Sequence, residues 1–221
     1  MCLAVLVLVP VLLVTLYRDA APPATPLMLL RLAEGYGIDK SWRPLDEISP
    51  FLIRTVITAE DPEFCHHRGF EPSSMPSSMT AAWQRYQSLR ERVARPGTIS
   101  MQTADNVFLL SGPGWLRRRL SEGFTFLIEL AWSKRRILEI YLNVVEWGRG
   151  IYGAEAAAQH YFHVSADRLS PHQAVRLAGI LADPLAEEGD GEALAARERL
   201  ISDHIVGVPV WDPLPCGETL R

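Results

Sequence analysis

Residues 49–60, SPFLIRTVITAE, confine one stretch of this chain to a helix whose apolar stripe ends in a carboxylate. Ser49 reads as the N-cap and Pro50 as the first helical residue, where a missing N–H is harmless and φ is already set. Ile53, Ile57 and Glu60 then share one face, with Leu52 and Val56 beside it. Desolvation at the edge of such a stripe disfavours the charged form of a carboxyl and moves it toward the range a general acid or base needs. A helix-end acid pointing to water fits the same spacing, so this run alone leaves both readings open.

The rest of the pattern is also helical. Leu27–Glu34 reads as a short helix stopped at Gly35, Thr98–Leu109 as another, and Gly112-Pro113-Gly114 as a turn. Two consecutive helices follow, Leu116–Trp132 and Lys134–Val145, with Ser133 as the cap between them. Ile137, Leu138, Tyr141, Val144 and Val145 give the second a clear apolar face. Gly148, Gly150 and Gly153 mark a tight loop, and Ala154–Phe162 is a small-residue helix suited to close packing. Ser170-Pro171-His172-Gln173 is a capping box opening a helix to Leu181, and residues 192–206 form the last helix. Residues 78–94 are polar without a strong apolar face and read as a mobile segment. No alternating pattern supports more than a minor hairpin, so the fold class is mainly α.

With 221 residues, 48% of them hydrophobic, the chain can build one sizeable core. Its net charge of −4 argues against a globally basic nucleic-acid binder. Residues 1–17 are almost wholly apolar, slightly short of the ~20 that span a bilayer, and lack a preceding basic segment. A single N-terminal transmembrane anchor over 1–18 is favoured over a cleaved signal peptide, because neither a charged n-region nor a small-x-small site is present. A Pro/Ala linker occupies 19–26, one domain 27–207 and a Pro-rich tail 208–221. Cys65 and Cys216 either pair in an oxidising compartment or remain free thiols.

Two basic triplets, Arg117-Arg118-Arg119 and Lys134-Arg135-Arg136, open helices. Positive charge there opposes the macrodipole. Backbone N–H groups with guanidinium forks suit a phosphate or pyrophosphate, and a solvated basic or membrane-facing surface is the alternative. His66 and His67 are adjacent, and no HExxH or Cys/His ligand spacing occurs, so no histidine-based metal site is expected.

Five segments in order resemble the motifs of the peptidoglycan glycosyltransferases: TAEDPEFCHHRGF (58–70), TISMQTADNVFL (98–109), WLRR (115–118), SKRRILEIYLN with EWGRGIYGAEAAAQHYF (133–143, 146–162), and residues 169–184. The resemblance runs from about residue 26 to about 205 and is nearest the monofunctional biosynthetic transglycosylases, since no room remains for a transpeptidase. It implies a lysozyme-like helical domain tethered to the bacterial inner membrane and facing the periplasm. Such enzymes polymerise lipid II, with the growing glycan strand as donor, and work beside cell-division and wall-synthesis proteins. Glu60 matches the general base on the acceptor 4-hydroxyl. Asp61, Phe64, His67, Gly69, Thr98, Gln102, Asn106, Arg117, Arg118, Lys134 and Asn143 match substrate-binding positions. Mg²⁺ or a similar divalent cation is implied at the pyrophosphate.

The chain departs from the family pattern on the leaving-group side. A second family Glu falls on Ser121, and Glu122 beside it is rotated by ~100° on a helix. A Lys becomes Asp105, and a Ser becomes Gly97. These losses predict slowed turnover, or a non-catalytic lipid II-binding scaffold. A lysozyme-like glycan-cleaving enzyme is the third reading, weakened by the basic triplets, because a glycan strand carries no pyrophosphate.

Overall fold

The computed structural model describes residues 2–70, 97–110, 114–185, 191–205 and 216. The expectations for residues 78–94 and for the turn at Gly112-Pro113 lie outside these. Nine α-helices occur among the described residues: α1 (Cys2–Asp19), α2 (Pro26–Ala33), α3 (Pro50–Glu60), α4 (Ile99–Phe108), α5 (Gly114–Ala131), α6 (Lys134–Val144), α7 (Gly153–Phe162), α8 (Pro171–Leu181) and α9 (Gly191–Ile205). Three short strands form one sheet in the order β1 (Asp39–Lys40), β3 (Ile151–Tyr152), β2 (Glu146–Gly148), with β1 parallel and β2 antiparallel to β3.

Local chemistry explains most helix starts. The hydroxyl oxygens of Thr98, Ser133 and Ser170 accept from the backbone N–H groups of Met101, Arg136 and Gln173, and Gln173 returns the favour to the Ser170 N–H. Ser49 differs from expectation. It stands at the cap position of α3, but its hydroxyl donates 2.9 Å away to the carbonyl of Leu169. That bond ties the start of α3 to the segment before α8.

α6 is the central helix. Ile137, Leu138, Ile140, Tyr141, Leu142 and Val144 are all buried, so its apolar surface is wider than the face read from the sequence. α4 packs between α5 and α6, and α3 lies against α8 and α9. The C-terminal end of α3 and the N-terminal end of α4 are thereby held over the same core.

The expected transmembrane anchor finds no support. Among the described residues no helix is long and apolar enough to cross a membrane. The second half of α1 instead packs on the domain: Val14 is buried, its carbonyl accepts from Trp132 Nε1 at 2.8 Å, and Arg136 donates to the Tyr17 and Ala20 carbonyls. The segment after α1 is tied down too, since Lys40 Nζ donates to the carbonyls of Pro22 and Pro23.

Cys65 and Cys216 form a disulfide with Cα atoms 4.9 Å apart, closing a loop across 151 positions. It fastens the loop that follows α3 to the far end of the chain. A Cys216→Ser variant, unfolded by denaturant without reductant, is expected to be less stable by about 2–4 kcal/mol. Reducing the native protein should give a comparable loss.

Candidate active site

The last residue of α3, Glu60, is 1% exposed. Its Oε2 accepts a 2.9 Å hydrogen bond from Gln102 Nε2 on α4. Gln102 Oε1 in turn accepts from the Tyr141 hydroxyl on α6 at 3.1 Å. A chain of two hydrogen bonds therefore joins three helices at Glu60 and Gln102. In the sequence Tyr141 shows itself only as part of an apolar face; its hydroxyl is the available signal, because a buried Tyr O–H needs a partner.

Asp61 leaves the helix and turns its carboxylate onto the next motif. Both oxygens lie 2.9 Å from His67 Nε2, and Oδ2 also accepts the Ile99 N–H at 2.9 Å. The Gly69 N–H donates to His67 Nδ1 at 3.0 Å, which assigns the ring proton to Nε2 and points it at Asp61. The Thr98 hydroxyl, besides capping α4, donates 2.6 Å away to the Gly69 carbonyl. Asp61, His67, Gly69 and Thr98 thus form a closed clasp between the loop after α3 and the start of α4.

Two glycines make the clasp possible. Gly69 has φ 86°, and a Cβ there would lie 2.7 Å from Thr125 Cγ2 and 2.9 Å from Glu129 Cγ. Gly97, the position where the family pattern has a Ser, has φ 102° directly before the α4 cap. This left-handed backbone is strained for any residue with a side chain, so Gly97 serves the turn.

On the other side of the clasp Lys134, the first residue of α6, donates to Glu129 Oε1 at 2.6 Å and stands 4.5 Å over the Phe64 ring. The Ser100 hydroxyl donates to the same Glu129 oxygen. Burial pushes the Lys134 ammonium below the ordinary lysine range; its hydrogen bond and attraction to Glu129, and the charge of Asp61, oppose the drop. Ser100 and Glu129 were not singled out from the sequence, because nothing local marks two polar residues on different helices as neighbours.

Asp105 faces Arg117, with 3.0 Å between Oδ2 and Nη2. This Asp stands where the family pattern has a Lys, and in the structure it engages one of the candidate phosphate ligands. Asp105 Oδ1 and Asn106 Nδ2 are buried atoms without a hydrogen-bond partner among the described residues. Most of the remaining cations are also matched within the protein: Arg119 with Glu122, Arg135 with Asp46, and Arg136 with Glu139. These pairs offset the unfavourable dipole placement. Arg118 is exposed and has no ion-pair partner among the described residues.

Ser121 is buried, whereas Glu122 turns outward to Arg119, so Glu122 does not take the place of the family's second Glu. Asn143 is not brought to this group. It grips the backbone of Arg43 through two 2.8 Å bonds, Arg43 N–H to Oδ1 and Nδ2 to the Arg43 carbonyl. A cavity of about 710 Å³ opens elsewhere, between α3, α8 and α9, lined by Phe51, Arg54, His172 and Arg199 among others. It contains none of the residues of the clasp.

Among the described residues no group of three or more His, Cys, Asp or Glu side chains is arranged to hold a metal ion. Asp61 has both oxygens engaged by His67 and Ile99. Asp105 Oδ1 offers one spare carboxylate oxygen, fewer protein ligands than a resident hard cation takes.

The model of the family described as Transglycosylase matches residues 29–205. A biosynthetic peptidoglycan transglycosylase of Caulobacter vibrioides is 51% identical over 82% of this chain and 77% of its own length. Those of Rhodospirillum centenum and Chromohalobacter salexigens are 45% and 47% identical, over 82% and 79% of this chain and 77% and 75% of theirs. With the match running from α2 through α9, the chain belongs to the transglycosylase family and is a relative of the biosynthetic peptidoglycan transglycosylases.

Proposed function

We propose that this protein polymerises lipid II into glycan strands. The observation that carries the reading is a buried carboxylate, Glu60, held by Gln102 next to a clasp that also borders Lys134. The acceptor's 4-hydroxyl oxygen attacks the anomeric carbon of the donor. The bond from that carbon to the lipid diphosphate breaks, and the diphosphate leaves with the electron pair. Glu60 takes the hydroxyl proton as the new bond forms. Lys134, Arg117 and Arg118 offset the charge that builds on the leaving group. A divalent cation such as Mg²⁺, carried by the diphosphate and ligated on the protein side by Asp105, would add to that neutralisation.

Exposed Leu8, Leu12 and Leu16 on α1, with Trp115, Phe126 and Leu130 on the packed α5, support contact with the membrane that holds the lipid substrate. The disulfide suits an oxidising compartment such as the periplasm. Wall-synthesis proteins are natural partners in this reading.

Purified protein with lipid II and Mg²⁺ should yield glycan polymer. Soluble fragments released from sacculi, without polymer, would replace the reading with glycan cleavage. The second reading, a non-catalytic lipid II binder, is favoured by Ser121 and by the Asp105–Arg117 pair, and would give lipid II binding with no polymer.

Lys134 gives the reaction a pH signature. Because burial lowers its pKa, its charge is shed at lower pH than that of an ordinary lysine, and polymerisation should decline on the alkaline side accordingly. Arg stays protonated to pH ~12 or above. Lys134→Arg should therefore move the alkaline limb to higher pH, whereas Lys134→Met should lower the rate about 10²-fold at neutral pH. Unchanged pH–rate profiles would remove Lys134 from the leaving-group role.

A further inference from the structure

The hydroxyl of Tyr141 has no part in the reaction as written, yet hydrogen bonds link it through Gln102 to Glu60. We infer that Tyr141 is a positioning residue for the general base, acting through Gln102; this rests on the assignment of Glu60. A glutamine side chain is ambiguous. Its two amide ends are nearly the same shape but opposite in hydrogen-bonding sense, and only the Nε2 end can donate to a carboxylate. The Glu60 carboxylate and the Gly97 carbonyl can only accept, so they fix which amide end faces them, and the Tyr141 O–H, 3.1 Å from Gln102 Oε1, anchors the other end. The donor end is then aimed at Glu60 Oε2, 2.9 Å away. In the flipped orientation an amide oxygen would face the carboxylate, and the amide N–H₂ would face the tyrosine.

The frame is rigid enough for this to matter. Tyr141 is fully buried in the central helix α6, and Gln102 is 7% exposed on α4, which packs directly on α6. Gln102 also reaches the Gly97 carbonyl, at 3.5 Å, from the same Nε2, consistent with the donor end lying on that side. Glu60 Oε2 is thus held by a chain of hydrogen bonds that spans three of the motif segments. Without the tyrosine hydroxyl, the buried Gln102 Oε1 loses this donor, and the amide is less firmly held against Glu60.

Tyr141→Phe keeps the ring and removes the hydroxyl. It is expected to lower kcat for lipid II polymerisation roughly 3–10-fold, the range of one lost neutral hydrogen bond, with KM nearly unchanged. In a Gln102→Leu background the same change should have no further effect on kcat, because the route to Glu60 is already cut. The side-chain amide protons of Gln102, followed by NMR in ¹⁵N-labelled protein, should exchange with solvent more slowly in the native protein than in Tyr141→Phe. This last readout is independent of turnover. Additive kinetic losses in the double variant would overturn the inference, as would equal exchange rates in the two proteins. Glu60→Gln is the control that separates the two claims. If it stays fully active, the base assignment has failed; if it is inactive and Tyr141→Phe shows native kcat, only the positioning role has failed.

Discussion

Glu60→Gln is expected to slow lipid II polymerisation by about 10²–10⁴-fold, the contribution of a well-placed general base. The substitution is nearly isosteric and leaves an acceptor oxygen for Gln102 Nε2, which donates to Glu60 Oε2 in the native protein. The local hydrogen bonding can therefore survive, and the melting temperature should stay close to native. Only the ability to accept a proton is removed. Glu60→Asp asks a different question: it keeps the charge but withdraws the carboxylate by about one bond length. A misplacement of ~1 Å can cost about 10²-fold, so this variant should also be strongly impaired. Gel analysis of labelled glycan, beside a thermal melt of each variant, reads both effects. Equal product from native protein and Glu60→Gln would mean that some other group removes the proton. A fully native rate in Glu60→Asp would mean that its exact position is unimportant.

The helices were legible because each carries its own signals. The capping box at Ser170 and Gln173, the caps at Thr98 and Ser133 and the apolar face of α6 are local facts that tertiary structure did not need to override. Glu60 was legible for a similar reason, since its helix and its stripe are written within a few residues. What stayed hidden was every partner supplied by another segment. Gln102 and Glu60 are 42 positions apart, and Tyr141 and Gln102 are 39 apart. No periodicity shows that such residues share a core. The basic triplets are a mixed case, with Glu122 and Glu139 on the same helices and the other partners on separate segments. Their conflict with the helix dipole is real, but Asp46, Asp105, Glu122, Glu129 and Glu139 supply most of the compensating charge. The apolar N-terminus shows the limit of composition. Val14 and Tyr17 help form the hydrophobic core that α1 shares with the domain, so apolar character there serves packing as well.

Asp61→Ala should have the larger structural effect. Its carboxylate receives the Ile99 N–H and the His67 Nε2–H, and both donors lie in buried surroundings. Alanine leaves each without an acceptor, at about 1–3 kcal/mol apiece, so a loss of about 2–6 kcal/mol is expected. That is a large part of the ~5–15 kcal/mol typical of a domain. Asp61→Asn should fall between native and alanine: its oxygen can serve the Ile99 N–H, but its amide N–H₂ would then face the His67 proton. The clasp also sets the distance between the end of α3 and the start of α4, and hence between Glu60 and Gln102. Activity should therefore fall by about 10²-fold in Asp61→Ala even when assayed well below its melting temperature. Restoring stability with a compatible second substitution elsewhere should not restore the rate. Denaturant unfolding and polymerisation assays on the same preparations test the link. An Asp61→Ala protein that unfolds like the native one would show that the clasp contributes nothing to stability. A stable variant with native turnover would show that Glu60 keeps its geometry without the clasp.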